Sequence, residues 1–245
     1  MIPIRNAVPS RYPPIITWML IAANCLMFLF QDSLSPGEFV EFLDQFALIP
    51  AHYTEVASGD TDQTAMDILP FFSMMFLHGG WLHLILNMWT LWLFGPTIED
   101  RLGHGRYLVF YLACGLAASV AHVMFNPTSI VPALGASGAI AGILGCYMRL
   151  FPLARVVVVV PILFIPLFFE VYAFFFIGLW FLLQLLQSTM ELLLPHSGGD
   201  VAWWAHVGGL VTGFVLGPLL VRTEQRYRVY YPDEGVLGFD TEGRI

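Results

Sequence analysis

Six stretches of this chain are nearly free of charge: residues 14–30, 81–94, 107–125, 137–150, 167–190 and 202–220. A hydrocarbon core about 30 Å thick is crossed by about 20 apolar residues of helix. The pattern therefore predicts an all-α polytopic membrane protein with six spans. The first stretch follows Arg5 and Arg11 and has the look of a signal sequence. No small-x-small cleavage site follows it, and five more spans do, so it is read as a retained helix. The stretch 137–150 is short, roughly 21 Å of helix at 1.5 Å per residue. The loop before it, 126–136, must then dip into the membrane, where irregular backbone survives only if protein buries it or water reaches it. That places Ser137 at a helix N-terminus below the outer surface. The long loop 31–80 holds amphipathic stretches such as 38–48, suited to the membrane surface.

Charge fixes the expected orientation. The chain has no Lys, and its Arg residues are 5, 11, 101, 106, 149, 155, 222, 226, 228 and 244. In a six-span arrangement every one falls on the same side, while loop 31–80 carries eight acids and no Arg. The positive-inside rule puts both termini in the cytoplasm of a multi-pass protein of the cell (inner) membrane. Residues 1–13 form a cytoplasmic N-terminal segment, 14–220 the membrane domain with its outer loop 31–80, and 221–245 a cytoplasmic tail.

Composition agrees. Only 11% of the 245 residues are charged, against roughly 25% in soluble domains, and mean hydropathy is +0.73. Cys25, Cys114 and Cys146 lie in apolar stretches, which suits small packing residues better than a disulfide framework.

Against this apolar background a few polar residues need a reason. Ser137 sits in Gly135-Ala136-Ser137-Gly138, and His206 lies about a turn into the last span, near the same depth. Gly209, Gly213 and Gly217 recur every four residues, and Gly135, Gly138, Gly142 and Gly145 line the fourth span. Such faces let helices approach closely, so spans four and six are expected to pack together and bring Ser137 to His206. The glycines alone would also fit plain packing. Ionisable groups in a membrane, however, tend to mark function, and a serine becomes a nucleophile when a base takes its proton. Glu170, the one acid within the predicted spans, lies too far toward the cytoplasmic side to orient His206, so a Ser–His dyad is the better reading. His83 and Asn87, at i and i+4 on the second span, share a helical face. With the Ser137 backbone N–H they can donate to an oxyanion. His78, His83 and His206 make a weaker zinc site, with no HExxH and no acidic ligand. His52, His104, His122 and His196 fall in loops or at helix ends without an evident partner.

His83-xxx-Asn87, Gly135-Ala136-Ser137-Gly138 and Ala205-His206-xx-Gly209-xxx-Gly213, on alternate helices, resemble the rhomboid family of intramembrane serine proteases. The resemblance covers about residues 70–220 and includes Gly95-xxx-Glu99-xxx-Gly103 in the first cytoplasmic loop. It implies a rhomboid-like six-helix bundle with a short central fourth helix. It makes Ser137 the nucleophile and His206 the general base, with His83, Asn87 and the Ser137 N–H as the oxyanion hole. His78 would support the outer loop and the water supply, and Glu99 would be structural. Two departures stand out. The Trp-x-Arg of many members is missing from the first outer loop, which leaves its anchoring open. Ala141 stands where some members have a Tyr that stacks on the histidine, so Trp203 or Trp204 must orient the imidazole instead.

The expected function is hydrolysis of a peptide bond in a transmembrane segment, entering beside a mobile fifth span with its bulky Phe174-Phe175-Phe176. The expected partners are the lipid bilayer and transmembrane protein substrates, with no nucleic acid, no metal and no cofactor. A non-catalytic relative that binds transmembrane clients is the alternative. A transporter fits less well, since neither an inverted repeat nor an acidic relay is present.

Overall fold

The computed structural model describes residues 2–56, 68–162, 165–193 and 202–222. In chain order these form strand β1 (Ile2–Asn6), helices α1 (Ile15–Asp32), α2 (Pro36–Phe46), α3 (Pro50–Val56) and α4 (Pro70–Ser73), and a 3-10 turn at Met74–Phe76. Next come α5 (Trp81–Leu102), α6 (His104–Phe125) and α7 (Ser137–Leu150). Strands β2 (Arg155–Ile162) and β3 (Ile165–Tyr172), then α8 (Ala173–Leu193) and α9 (Trp203–Leu220), complete the order. By length and composition α1, α6 and α9 can each cross a bilayer, while α7 and the Ala173–Leu183 part of α8 are apolar but shorter. Helix α5 is 22 residues long, but His83, Asn87 and the charged Glu99-Asp100-Arg101 lower its hydropathy. The result is a mostly helical membrane bundle with α7 at its centre: ten of its fourteen residues are buried.

The expectation of an all-α chain needs correction. β1, β2 and β3 form an antiparallel sheet in that order, with Ile2 opposite Val159 and Arg155 opposite Tyr172. The five consecutive valines 156–160 are β-branched and favour extended backbone, and Pro161 and Pro166 disfavour a helix interior. The helix expected from residue 167 therefore begins at Ala173. Glu170, expected inside that span, lies on β3, exposed and paired with Arg155 at 2.8 Å.

The stretch 95–103 is not a loop either. α5 runs through it to Leu102, and only Gly103 separates α5 from α6. Gly103 has φ +78° and abuts the Arg222 guanidinium, so glycine meets both the backbone conformation and the close approach. Within this corner Glu99 is 1% exposed. Its carboxylate accepts from the Ile16 and Thr17 N–H groups at 2.8 Å each, and from Thr17 Oγ1 at 2.7 Å. α1 has no side-chain cap of its own, so an acid from α5 caps it across the bundle and offsets its helix dipole. His104 Nδ1 lies 2.6 Å from the same carboxylate, and Asp100 Oδ1 accepts from the Arg11 and Tyr12 N–H groups at 3.0 Å. His104 thus has a partner that sequence reasoning left unnamed.

The described part of the segment between α1 and α5 is anchored without a Trp-x-Arg motif. α2 covers most of the amphipathic stretch 38–48, with a Ser35–Glu38 capping box. Beyond it Leu48 and Ala133 exchange backbone hydrogen bonds at 3.1 and 2.8 Å, and the Gly135 N–H donates to the Met74 carbonyl at 2.8 Å. Met75 is fully buried against Gly115 of α6, where a Cβ would collide with its sulfur. Ser119 Oγ, also on α6, donates to the Phe71 carbonyl at 2.9 Å.

Replacing Glu99 by Ala leaves two N–H groups and a hydroxyl without their acceptor, each costing about 1–3 kcal/mol when buried. A loss of at least about 3 kcal/mol is expected, read as a lower thermal midpoint in detergent micelles. An unchanged midpoint would refute the cross-bundle cap.

Candidate active site

α7 and α9 are in backbone contact. A Cβ on Gly209 would collide with the Gly138 carbonyl, one on Gly213 with the Gly142 carbonyl, and one on Gly145 with the Leu210 carbonyl. Gly217 faces the Cys146 side chain in the same way. The seam continues to α6, where Gly208 meets Ala121. Nothing larger than glycine fits at these crossings, and dispersion across so close an interface can hold helices together in lipid.

This seam brings the two expected residues together: Ser137 Oγ and His206 Nε2 are 2.7 Å apart. Ser137 opens α7, so the N–H groups of its first turn have no intrahelical acceptor and the dipole's positive end points out beside the hydroxyl. Gly135 makes the approach with φ +125°, and a Cβ there would lie 2.8 Å from the His83 ring. Glycine is needed on both counts.

His83 and Asn87 reach the same cavity from α5. The Gly79 N–H donates to His83 Nδ1 at 3.4 Å, which assigns the proton of a neutral ring to Nε2, on the side facing Gly135. The Asn87 Nδ2 is buried and has no hydrogen-bond partner among the described residues. His78 stands behind His83, with ring centroids 5.1 Å apart in an edge-to-face pair. Gln31 of α1 grips the His78 backbone at both ends, accepting from its N–H at 3.1 Å and donating to its carbonyl at 3.4 Å. Burial, then the neighbouring His83, pushes the His78 imidazole down to about 4, so it is neutral at ordinary pH.

The imidazole of His206 is boxed by two indoles. Trp203 meets it edge-on at 6.0 Å, and Trp180 of α8 lies tilted at 5.7 Å. Trp204 stacks instead on Phe125 at 4.0 Å. Trp180 was not singled out in the sequence, because nothing in the apolar run Ala173–Leu183 marks which face meets α9. His122, also passed over, is buried at the end of α6 with Asn126 Nδ2 3.1 Å from its Nδ1. His196 lies outside the described residues. Among those residues no three of His, Cys, Asp and Glu converge as a metal group.

The cavity holding these groups has a volume of about 490 Å3, within the range of small-ligand and peptide-sized sites. A hydroxyl hydrogen-bonded to an imidazole, beside unsatisfied N–H donors, is an arrangement that can transfer an acyl group.

Comparison with known proteins gives the class to which this chain belongs. A family model described as the Rhomboid domain matches residues 66–223, and the chain belongs to the rhomboid family. It is 33% identical over 142 residues to the rhomboid protease GluP of Bacillus subtilis, covering 58% of this chain and 26% of that protein. It is 30% identical to the RHOMBOID-like protein 6, mitochondrial, of Arabidopsis thaliana, covering 62% of this chain and 43% of that one. The putative rhomboid protease YdcA of Bacillus subtilis is 27% identical across 88% of this chain and 93% of its own length. The chain thus spans less than half of the first two relatives.

Gly209→Val forces a branched side chain into the Gly138 backbone. Overpacking commonly costs about 1–3 kcal/mol, and here the obstacle is rigid, so a fall in thermal midpoint at the upper end of that range is expected. Gly105→Ala, at a helical glycine with open space around it, should leave the midpoint level or raise it. Equal behaviour of the two variants would remove the seam argument.

Proposed function

We propose that this protein is an intramembrane serine endopeptidase that cuts the transmembrane segments of other membrane proteins. The observation that carries the reading is the 2.7 Å approach of Ser137 Oγ to His206 Nε2, inside a cavity shared with His83 and Asn87. Membership of a family whose named members include proteases supports it.

In this reading His206 Nε2 takes the Ser137 proton as Oγ bonds to the scissile carbonyl carbon. The carbonyl electrons move to oxygen, and Nε2–H of His83, Nδ2 of Asn87 and the Ser137 N–H hold that oxyanion. The intermediate then collapses, the C–N bond breaks, and His206 returns its proton to the leaving amine. Water, deprotonated by His206, hydrolyses the ester and restores Ser137. Trp180 and Trp203 hold the imidazole in place of an acid or a tyrosine. A substrate helix must unwind before it can be cut, because its carbonyls are already hydrogen-bonded. It enters beside α8, and the small residues next to Ser137 favour a small residue at the cut.

The bundle carries six spans with both termini in the cytoplasm of the cell membrane. The seven arginines among the described residues support this orientation. They all lie toward the end of the bundle opposite Ser137, where Arg222 donates its N–H to the Arg101 carbonyl and Arg106 reaches Leu220.

Ser137→Ala and His206→Ala should each lower turnover of a transmembrane reporter by about 10³-fold or more. Asn87→Ala should cost about 10²-fold, the usual effect of losing one oxyanion donor. A serine-directed fluorophosphonate should label wild type and not Ser137→Ala. Equal labelling of the two, with a reporter bound but never cut, would favour the client-binding alternative.

A further inference from the structure

The cavity does not end at the dyad. Its lining runs from Ser137 along α7 past Ile140 and Ala141 to Leu144, with residues of α5 and α8 on either side, and takes in Ile2 and Pro3 of β1. The N-terminal segment, which sequence patterning set outside the membrane domain, is thus part of the wall of the candidate active site. Two contacts fix it there. Trp89 Nε1 of α5 donates to the Pro3 carbonyl at 2.7 Å, and Asn6 Nδ2 donates to the Leu93 carbonyl of the same helix. On its other edge β1 pairs with β2, and β2 with β3, which leads directly into α8. The sheet therefore bridges α5 and α8 at the end of the cleft away from Ser137.

Resting on the protease reading, we infer that β1 is the floor of the substrate cleft and selects which peptide bond is cut. The occupant is an apolar transmembrane segment, unwound near its scissile bond. From Ser137 to Leu144 is seven residues of helix, about 10 Å at 1.5 Å per residue. At about 3.3 Å per extended residue, some three substrate residues span that length of the cleft. Ile2 is 43% exposed and presents an uncharged surface, so the floor repels charge and tolerates apolar residues. Raising it pushes the segment back toward the Ser137 end of the bundle, and lowering it lets the segment descend.

The test uses the full chain in liposomes with a single-span reporter whose transmembrane segment contains consecutive Ala and Gly residues, and mass spectrometry of the fragments. Deleting residues 2–6 should move the cut by one to three residues toward the reporter's extracytoplasmic end, or spread it over several bonds. Ile2→Trp, at an exposed position that should leave the fold intact, should move it the opposite way. Trp89→Phe, which removes the hydrogen bond to Pro3 and part of the ring that lines the cleft, should broaden the cut. An unchanged cut position in all three variants overturns the inference. A second readout does not need cleavage: a photo-crosslinking residue in place of Ile2, in the Ser137→Ala background, should capture the reporter within about three residues of the wild-type cut or, if none is cut, near the middle of its span. No crosslink there overturns the floor even where proteolysis stands. A crosslink without any cleavage by wild type would instead remove the protease reading and keep β1 as a client contact.

Discussion

Everything at the candidate site depends on how closely two helix backbones can approach. Ser137 and His206 are 69 residues apart in sequence and belong to different helices, and neither side chain is long. Their 2.7 Å contact exists because glycines at 145, 209 and 213 let α7 and α9 touch carbonyl to Cα, while those at 138 and 142 make room for Ala118 and Cys114 of α6. Water cannot drive helices together in lipid, so the seam must supply its own attraction through packing. One extra methyl group at Gly209 or Gly213 would separate the hydroxyl from the imidazole without altering either.

Around that seam, the remaining elements fix orientation. The Glu99 carboxylate ties α1 to the corner between α5 and α6, so α5 presents His83 and Asn87 from a braced position. The outer loop is held by backbone pairing at Leu48–Ala133 and by Met75 in the notch at Gly115. It reaches the Gly135 N–H through the Met74 carbonyl, two residues before the serine. The family's Trp-x-Arg can thus be absent because the same loop is secured by main-chain bonds and one flexible thioether, which fills an irregular gap well. From the three-stranded sheet, Ile2 and Pro3 join the cleft wall.

Much of the bundle was legible in the sequence. Charge-free runs marked the helices at 15–32, 104–125, 137–150 and 203–220 to within a few residues, because lipid imposes apolar length directly. Glycine spacing pointed to the α7–α9 contact, since a four-residue repeat occupies one helical face. The boundaries failed where hydrophobicity stops discriminating. An apolar strand and an apolar helix look alike to a hydropathy window, so β2 and β3 were merged into loop and span. The valine run 156–160 was the available signal. Glu99 and its neighbours read as loop because charge suggests solvent, yet a charge satisfied by three donors can remain in a buried helix.

The sequence by itself determined the family and the membrane character of the protein, and it pointed to the residues that share one cavity. All of these follow from one-dimensional patterns of apolarity, charge and small residues. Tertiary structure alone decided which indoles lie beside His206 and which strand joins the cleft wall. Trp180 and Trp203 could be sorted from Trp204 only by knowing which face of α8 and α9 meets the imidazole. Ile2 and Pro3 join the site from the far end of the chain through strand pairing, whose partner is chosen by hydrogen-bond geometry and not by any local pattern.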